Sequence, residues 1–311
     1  MYIIDLMKRL TSKNNIPILI YLILNVFLSG YLLQLLPAMT GTRAGSFLPY
    51  LTAGLIIYGI SVLIALSPIG ECIIRWQSGC RKIKRVEQIN YIEPIFREVY
   101  EKAKKADPSI PNDVRLFMNS DETPNAFATG RKTICITAGL LQVPEEQIRA
   151  TLGHEFGHIA HKDTDLILLV SVGNMLVSGF ILFVRALIAL VQVMLSIIGL
   201  FTGGREGALC NLFSGFGNLL KTVIIGGLMK IWTQFGVWLV MKSTRDNEYK
   251  ADEFSFNLGY GEPLCVMLDS ISGEGAKGLF ATLASSHPDK DDRIAKLQEL
   301  GCTYRVTYGK K

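Results

Sequence analysis

Five consecutive residues, His154-Glu155-Phe156-Gly157-His158, constrain this chain more than any other feature. They spell H-E-x-x-H. Positions i and i+4 share one face of a helix, so two imidazoles can point at one metal ion, with Glu155 beside them to take a proton from a bound water. That chemistry demands a helix, and the approach to the motif reads as one. Pro144 suits a first helical position, and Glu145 and Glu146 suit the positive end of the dipole. Ile148, Leu152 and Ile159 recur at helical spacing and bury one side. The chain has four histidines in 311 residues, so two at ligand spacing weigh against coincidence.

The second constraint is apolarity. Mean hydropathy is +0.31 and 49% of residues are apolar, which points to a membrane. Ile16 to Leu36 and Phe47 to Leu66 are uncharged runs long enough to span a bilayer, joined by a short connector carrying Arg43. The first run is too long for a typical signal-peptide core and no small-residue cleavage site follows it. Lys8, Arg9 and Lys13 precede the pair, and Arg75, Arg81, Lys82, Lys84 and Arg85 follow it. The positive-inside rule places both flanks in the cytoplasm and makes the pair a hairpin. Leu166 to Phe201 is a longer apolar stretch, interrupted by Arg185: one long helix, or a span followed by a surface or re-entrant segment. Thr202 to Asn218 is Gly-rich and reads as a loop. Leu219 to Met241 is a weaker run carrying Lys221 and Lys230. The net charge of +5 matters through its placement rather than its sum. The six cysteines form no C-x-x-C pair and read as scattered reduced thiols.

Between the apolar regions the chain reads as soluble. Glu93 to Lys105 suggests a helix, Asp113 to Met118 and Lys132 to Thr137 suggest strands, and Asp121 to Asn125 is a turn cluster. After Lys242, Asp246 to Asn257 and Asp289 to Leu300 suggest further helices.

Two histidines leave a catalytic metal site incomplete, because three protein ligands plus a water are expected. No third histidine stands at the H-E-x-x-H-x-x-G-x-x-H spacing. His161 lies about 10 Å along the helix axis from His154, too far to share the ion. A carboxylate from a second helix is the alternative. In Asp246-Asn247-Glu248-Tyr249-Lys250-Ala251-Asp252, Glu248 and Asp252 face one way, so Glu248 can bind the metal while Asp252 orients a ligand histidine. A solvated acidic helix is the plain competing account of that segment.

Three segments together give the chain a familiar form. The H-E-x-x-H run, Arg245 to Asp252, and Asn125-Ala126-Phe127-Ala128-Thr129-Gly130 resemble the HtpX-type membrane metalloproteases, whose family includes the CAAX prenyl endoproteases and a mitochondrial quality-control protease. The resemblance covers nearly the whole chain and puts the third ligand on Glu248. His287-Pro288 through Arg293 is similar to the family's H-P-x-x-x-x-R element and implies roles for His287 and Arg293 near the metal, in holding substrate or the oxyanion. The unusually long third apolar stretch departs from the pattern.

The fold class implied is mainly α (α+β): multi-span membrane helices plus a zincin-like domain with a small sheet. The expected organisation is a membrane hairpin over 1–70, a catalytic part over 71–163, an inserted hairpin over 164–241 and a second catalytic part over 242–311. The resemblance implies one zinc per chain, held by His154, His158 and Glu248, with Glu155 as general base and Asp252 behind the ligands. Asn125, Ala126, Phe127 and Ala128 would form the edge on which a peptide lies. Expected partners are polypeptide or damaged membrane-protein substrates and the lipid bilayer, with self-association allowed for and no nucleic acid. The expected location is the bacterial inner membrane with a cytoplasmic active site. Three rivals remain: a processing protease of the prenyl-endoprotease type, a membrane scaffold with a vestigial metal site, and a small transporter suggested by Arg185 and Lys230.

Overall fold

The computed structural model describes residues 15–202, 205–243, 245–270 and 289–305. His287 falls outside them. The chain divides into two units. One comprises residues up to Ala65 together with Leu169–Val237, and the other comprises Leu66–Leu168 and Trp238–Lys311.

The first unit is built from four helices long and apolar enough to cross a membrane, the candidate spans being Ile16–Met39, Phe47–Ala65, Thr164–Phe201 and Gly207–Val240. The elements are α1 (Ile16–Gln34), the short α2 (Leu36–Met39) and α3 (Phe47–Ala65), then α8 (Gly173–Phe201) and α9 (Arg205–Ser243). Small residues let these helices approach closely. A Cβ at Gly54 would lie 2.7 Å from the Gly30 nitrogen, so α1 and α3 meet backbone to backbone. Polar side chains tie the bundle together. Asn25 donates to the Tyr58 hydroxyl at 3.3 Å, Tyr58 donates to Asn174 Oδ1 at 3.2 Å, and the Tyr21 hydroxyl donates to the Trp232 carbonyl at 2.9 Å.

Two expectations are settled here. The third apolar stretch is one continuous helical path: α7 (Thr164–Ile167), a π turn (Leu168–Val172) and then α8. From Arg205 to Asn218 the Gly-rich segment is helical rather than a loop, because α9 begins at Arg205 and runs to Ser243. Packing overrides glycine's poor helix propensity here. Gly215 fits against α8, where a Cβ would come 2.7 Å from Val193 Cγ2.

The second unit holds the sheet and the soluble helices. α4 (Pro68–Gln77) is capped by Ser67, whose side chain accepts from the Ile69 nitrogen. α5 (Val86–Ala106) starts seven residues before the helix read from sequence. It buries Ile92, Ile95, Phe96, Val99 and Ala103 along one stripe. The sheet has order β1-β3-β2, with β1 (Arg115–Asn119) parallel and β2 (Ala126–Ala128) antiparallel to β3 (Thr133–Thr137). β3 is the central strand and is buried along its length. β2 is an edge. The metal-motif helix α6 (Glu145–His161) follows, and Ile148, Leu152 and Ile159 lie in the core as their spacing predicts. The second half contributes α10 (Arg245–Ser255), a π turn to Tyr260, α11 (Gly261–Ser270) and α12 (Lys290–Glu299). α11 was not apparent in the sequence. Gly259 takes φ +89 at the bend before it, a conformation open to glycine.

Candidate metal centre

The site forms where α6 and α10 touch. α6 presents glycines at 153 and 157, one turn apart, to α10. A Cβ at Gly157 would lie 2.8 Å from the Ala251 Cα, and one at Gly153 would lie 2.9 Å from Ser255 Oγ. Ser255 Oγ also donates to the Ala150 carbonyl at 2.8 Å, fixing the register between the helices. This close approach lays Glu248 and Asp252 over the two histidines.

His154, His158 and Glu248 each offer one donor atom, and these lie within 4.8 Å of one another. The Nε2 atoms of His154 and His158 are 3.1 Å apart, with Glu248 oxygens 3.6 Å and 3.5 Å from them. His154 and Glu248 are buried, and His158 nearly so.

The other ring nitrogens face carboxylates. His154 Nδ1 is 2.8 Å from Asp252 Oδ1, and His158 Nδ1 is 3.2 Å from Asp163 Oδ2. A carboxylate accepts only, so each Nδ1 donates to its carboxylate and each Nε2 faces inward. Two imidazole nitrogens 3.1 Å apart beside a carboxylate require a cation between them, a proton in the metal-free protein or a metal ion. The donor set therefore fits a metal ion, with His154, His158 and Glu248 as ligands.

The carboxylates behind the histidines are themselves held. Arg293 grips Asp252 with two bonds, Nε to Oδ2 at 2.7 Å and Nη2 to Oδ1 at 2.6 Å, and its Nη1 lies 3.5 Å from Glu248 Oε2. Burial alone would raise the Asp252 pKa, but Arg293 and His154 outweigh it and hold the carboxyl below its usual range. On the other side, Asn247 Nδ2 donates to Asp163 Oδ1 at 2.9 Å. Each histidine of the first half is thus oriented by a carboxylate secured from the second half of the unit.

Asp163 and Asn247 were missed in the sequence. Asp163 reaches His158 because α6 ends in a reversal: Lys162 takes the left-handed conformation (φ 57), and the Asp163 nitrogen donates to the His158 carbonyl at 3.1 Å. Nothing in the local sequence marks Lys162 for that conformation. Asn247 adjoins Glu248, which was the one available signal.

Glu155 is buried, and its Oε2 accepts from the Ala128 nitrogen at 2.7 Å. This bond joins the motif helix to the edge strand. β2 pairs with β3 through its odd positions: Thr129 N donates to the Thr133 carbonyl at 3.0 Å and Thr137 N to the Asn125 carbonyl at 2.9 Å. The main-chain groups of Ala126 and Ala128 therefore face the open side. The loop after β2 is anchored by Glu71, which accepts from the Arg131 nitrogen at 3.0 Å, and by the two-bond pair of Arg131 with Asp165 at 2.8 Å.

Of the other residues singled out, Arg293 is buried with its guanidinium turned on Asp252 and Glu248. His161 is half-buried, with its ring edge-on to Phe254 at 6.4 Å and apart from the donor cluster.

An H-E-x-x-H helix completed by a carboxylate from a second helix, in a chain interrupted by membrane-length apolar helices, defines a membrane metalloprotease. The chain belongs to Peptidase family M48, which its residues 87–301 match. It is similar to the Protease HtpX homolog of Burkholderia cenocepacia strain HI2424, 27% identical over 252 residues that cover 70% of this chain and 77% of the relative. The corresponding protein of Burkholderia thailandensis is 28% identical over 246 residues, covering 68% and 75%. The HtpX-type reading of the sequence thus holds.

Proposed function

We propose that this protein is a zinc endopeptidase of the bacterial inner membrane, that its active site faces the cytoplasm, and that it cleaves damaged or misfolded membrane proteins. The observation that carries the catalytic part is the convergence of two imidazole Nε2 atoms and the Glu248 carboxylate, with Glu155 tied to an edge strand beside them. The cytoplasmic side is supported by the basic residues flanking the first hairpin and by Lys242 and Arg245 after the second.

His154, His158 and Glu248 would hold the zinc ion, which when bound would supply Lewis acidity to the scissile carbonyl and to a water. Glu155 then takes the proton of the attacking water and delivers it to the leaving nitrogen. Its bond from Ala128 N holds the carboxylate next to the strand on which the peptide lies. Ala126 and the Ala128 carbonyl turn to the open side, the Ala128 N–H being taken by Glu155, so an extended peptide can add as a further strand through those groups. Main-chain pairing is blind to most side chains, which suits a protease acting on diverse unfolded segments. Asn125 and Phe127 belong to the same edge and bond inward, to β3. Arg293 holds Asp252 and Glu248 in place rather than meeting substrate, a narrower task than its motif suggested. His287 retains the proposed role at the substrate or oxyanion.

The test pairs metal analysis with proteolysis of an unfolded model protein. Glu155→Gln keeps one zinc and loses cleavage by about 10²–10⁴-fold, since only the base is removed. Cleavage at the wild-type rate by that variant refutes the mechanism. Glu248→Gln loses zinc while Glu253→Gln keeps it; the reverse outcome overturns the ligand set.

A further inference from the structure

The membrane unit is nearly free of acids. Residues 16–65 and 169–237 contain five cations, Arg43, Arg185, Arg205, Lys221 and Lys230, and a single carboxylate, Glu206. Arg185 is nevertheless 3% exposed, and its Nε and Nη1 find no hydrogen-bond partner among the described residues. Gly199 packs against Ala208, so Glu206 belongs to the far tip of the α8–α9 hairpin, about 24 Å beyond Arg185 by helix rise. A guanidinium buried in an apolar bundle, with no carboxylate partner among the described residues, fits an anion from outside the chain.

The level of Arg185 says which anion. It lies about 24 Å along the helix from Leu169, where the membrane unit resumes, near the far side of a hydrocarbon core about 30 Å thick. The neighbouring helices agree. Gln192, two turns further on, donates to the Met39 carbonyl and accepts from Asn218 Nδ2, so Arg185 is level with the end of α1. Leu182 packs at Gly226 and Gln192 meets Asn218, which brings the exposed Lys221 opposite the same turn. At that level Leu33, Leu36, Tyr50, Ala53, Ile57 and Ile188 line an apolar groove of about 440 Å³. A buried guanidinium, a second cation and an apolar groove at the edge of the hydrocarbon match the two ends of a phospholipid.

We propose that Arg185, with Lys221, binds the head-group phosphate of a phospholipid in the leaflet at the C-terminal end of α1, while the groove takes an acyl chain. The test uses the delipidated full-length protein in a neutral detergent. Phosphatidylglycerol, a diacylglycerol with the same chains, and inorganic phosphate are titrated separately, read by native mass spectrometry and thermal denaturation. The expected result is one tightly held phosphatidylglycerol and a raised Tm, with neither effect from the other two. Arg185→Gln binds the lipid about tenfold more weakly, the loss of a charge-assisted contact. Arg185→Lys falls between, and Ile188→Trp weakens binding by filling the groove. Equal lipid affinity in wild type and Arg185→Gln overturns the proposal. Equal effects of diacylglycerol and phosphatidylglycerol on the wild type overturn it too, even if Arg185→Gln fails to fold. A Tm rise from inorganic phosphate alone overturns the lipid assignment. Tight binding of a peptide carboxylate at Arg185 in preference to the lipid would assign the site to a substrate segment instead.

Discussion

Gly157 of α6 lies against Ala251 of α10 so closely that a Cβ on Gly157 would be 2.8 Å from the Ala251 Cα and 3.1 Å from its Cβ. That contact sets the distance between the helix carrying both histidines and the helix carrying Glu248. Gly157→Ala must push the helices apart, costing about 1–3 kcal/mol in overpacking. Zinc content falls with stability because Glu248 rides on α10. Gly207→Ala, where a Cβ meets nothing within 4 Å, is the matched control. Thermal denaturation with and without zinc checks this, and a Gly157→Ala protein with wild-type Tm and zinc content sinks it.

Asp163 orients His158 as Asp252 orients His154, at 3.2 Å and 2.8 Å from the respective Nδ1 atoms. Asp163→Asn and Asp252→Asn should each weaken zinc binding by about 10–100-fold. Asn247→Ala, which frees the far oxygen of Asp163, should have a smaller effect in the same direction. Competition with a chromophoric chelator measures all three. Undiminished affinity in Asp163→Asn would mean that its contact does not orient the ligand.

Zinc affinity should rise with pH. In the metal-free protein, burial lowers the His154 pKa, but Asp252 and Glu248 outweigh it and raise it to about 10; His158 is raised as well, Glu248 and Asp163 outweighing its burial. Below those values zinc must displace a proton from each ligand. Apparent affinity should then climb about tenfold per pH unit for every proton released, between pH 6 and 8. For the metal-free fold the sign is opposite. The charged His154 contributes stability that is complete below the unfolded value of about 6.5 and is lost as pH rises towards 10. Chelator competition at three pH values, with calorimetry in two buffers to count protons, decides the matter; a pH-independent affinity contradicts it.

A shared metal ion requires both halves of the site on one side of the bilayer, so on the proposed function the chain from Asp163 to Lys242 should cross an even number of times. In a cysteine-free background, a membrane-impermeant thiol reagent applied to sealed cells should label a cysteine placed at Gly41 and leave one at Lys84 unlabelled. The converse pattern would reverse the proposed orientation.

The motif helix was legible almost residue by residue. Its start at Glu145 and its core stripe follow from the Pro144-Glu145-Glu146 opening and the 3.6-residue period, both local signals. The strands were displaced by only one or two residues. Thr202 to Asn218 was misread because glycine content signals a loop until a neighbouring helix fills the space the glycines leave, as Val193 does at Gly215. α11 was missed because the bend at Gly259 and the π turn before it hide a restart that core packing enforces.

The sequence by itself determined what the backbone repeat dictates: two imidazoles on one face of a helix, a base beside them, and helices long enough for a membrane. The resemblance put the third ligand on Glu248, but only the tertiary structure brings that carboxylate to the rings and supplies Asp163, Asn247 and Arg293 to hold them. Glu248 reaches His154 at a sequence separation of 94, and Arg293 reaches Asp252 at 41, through contacts set by how α6, α10 and α12 pack. Spacing along one helix is fixed by hydrogen bonds every few residues. Distance between helices is fixed by the side chains that separate them, and here two glycines on α6, facing Ala251 and Ser255, removed that separation.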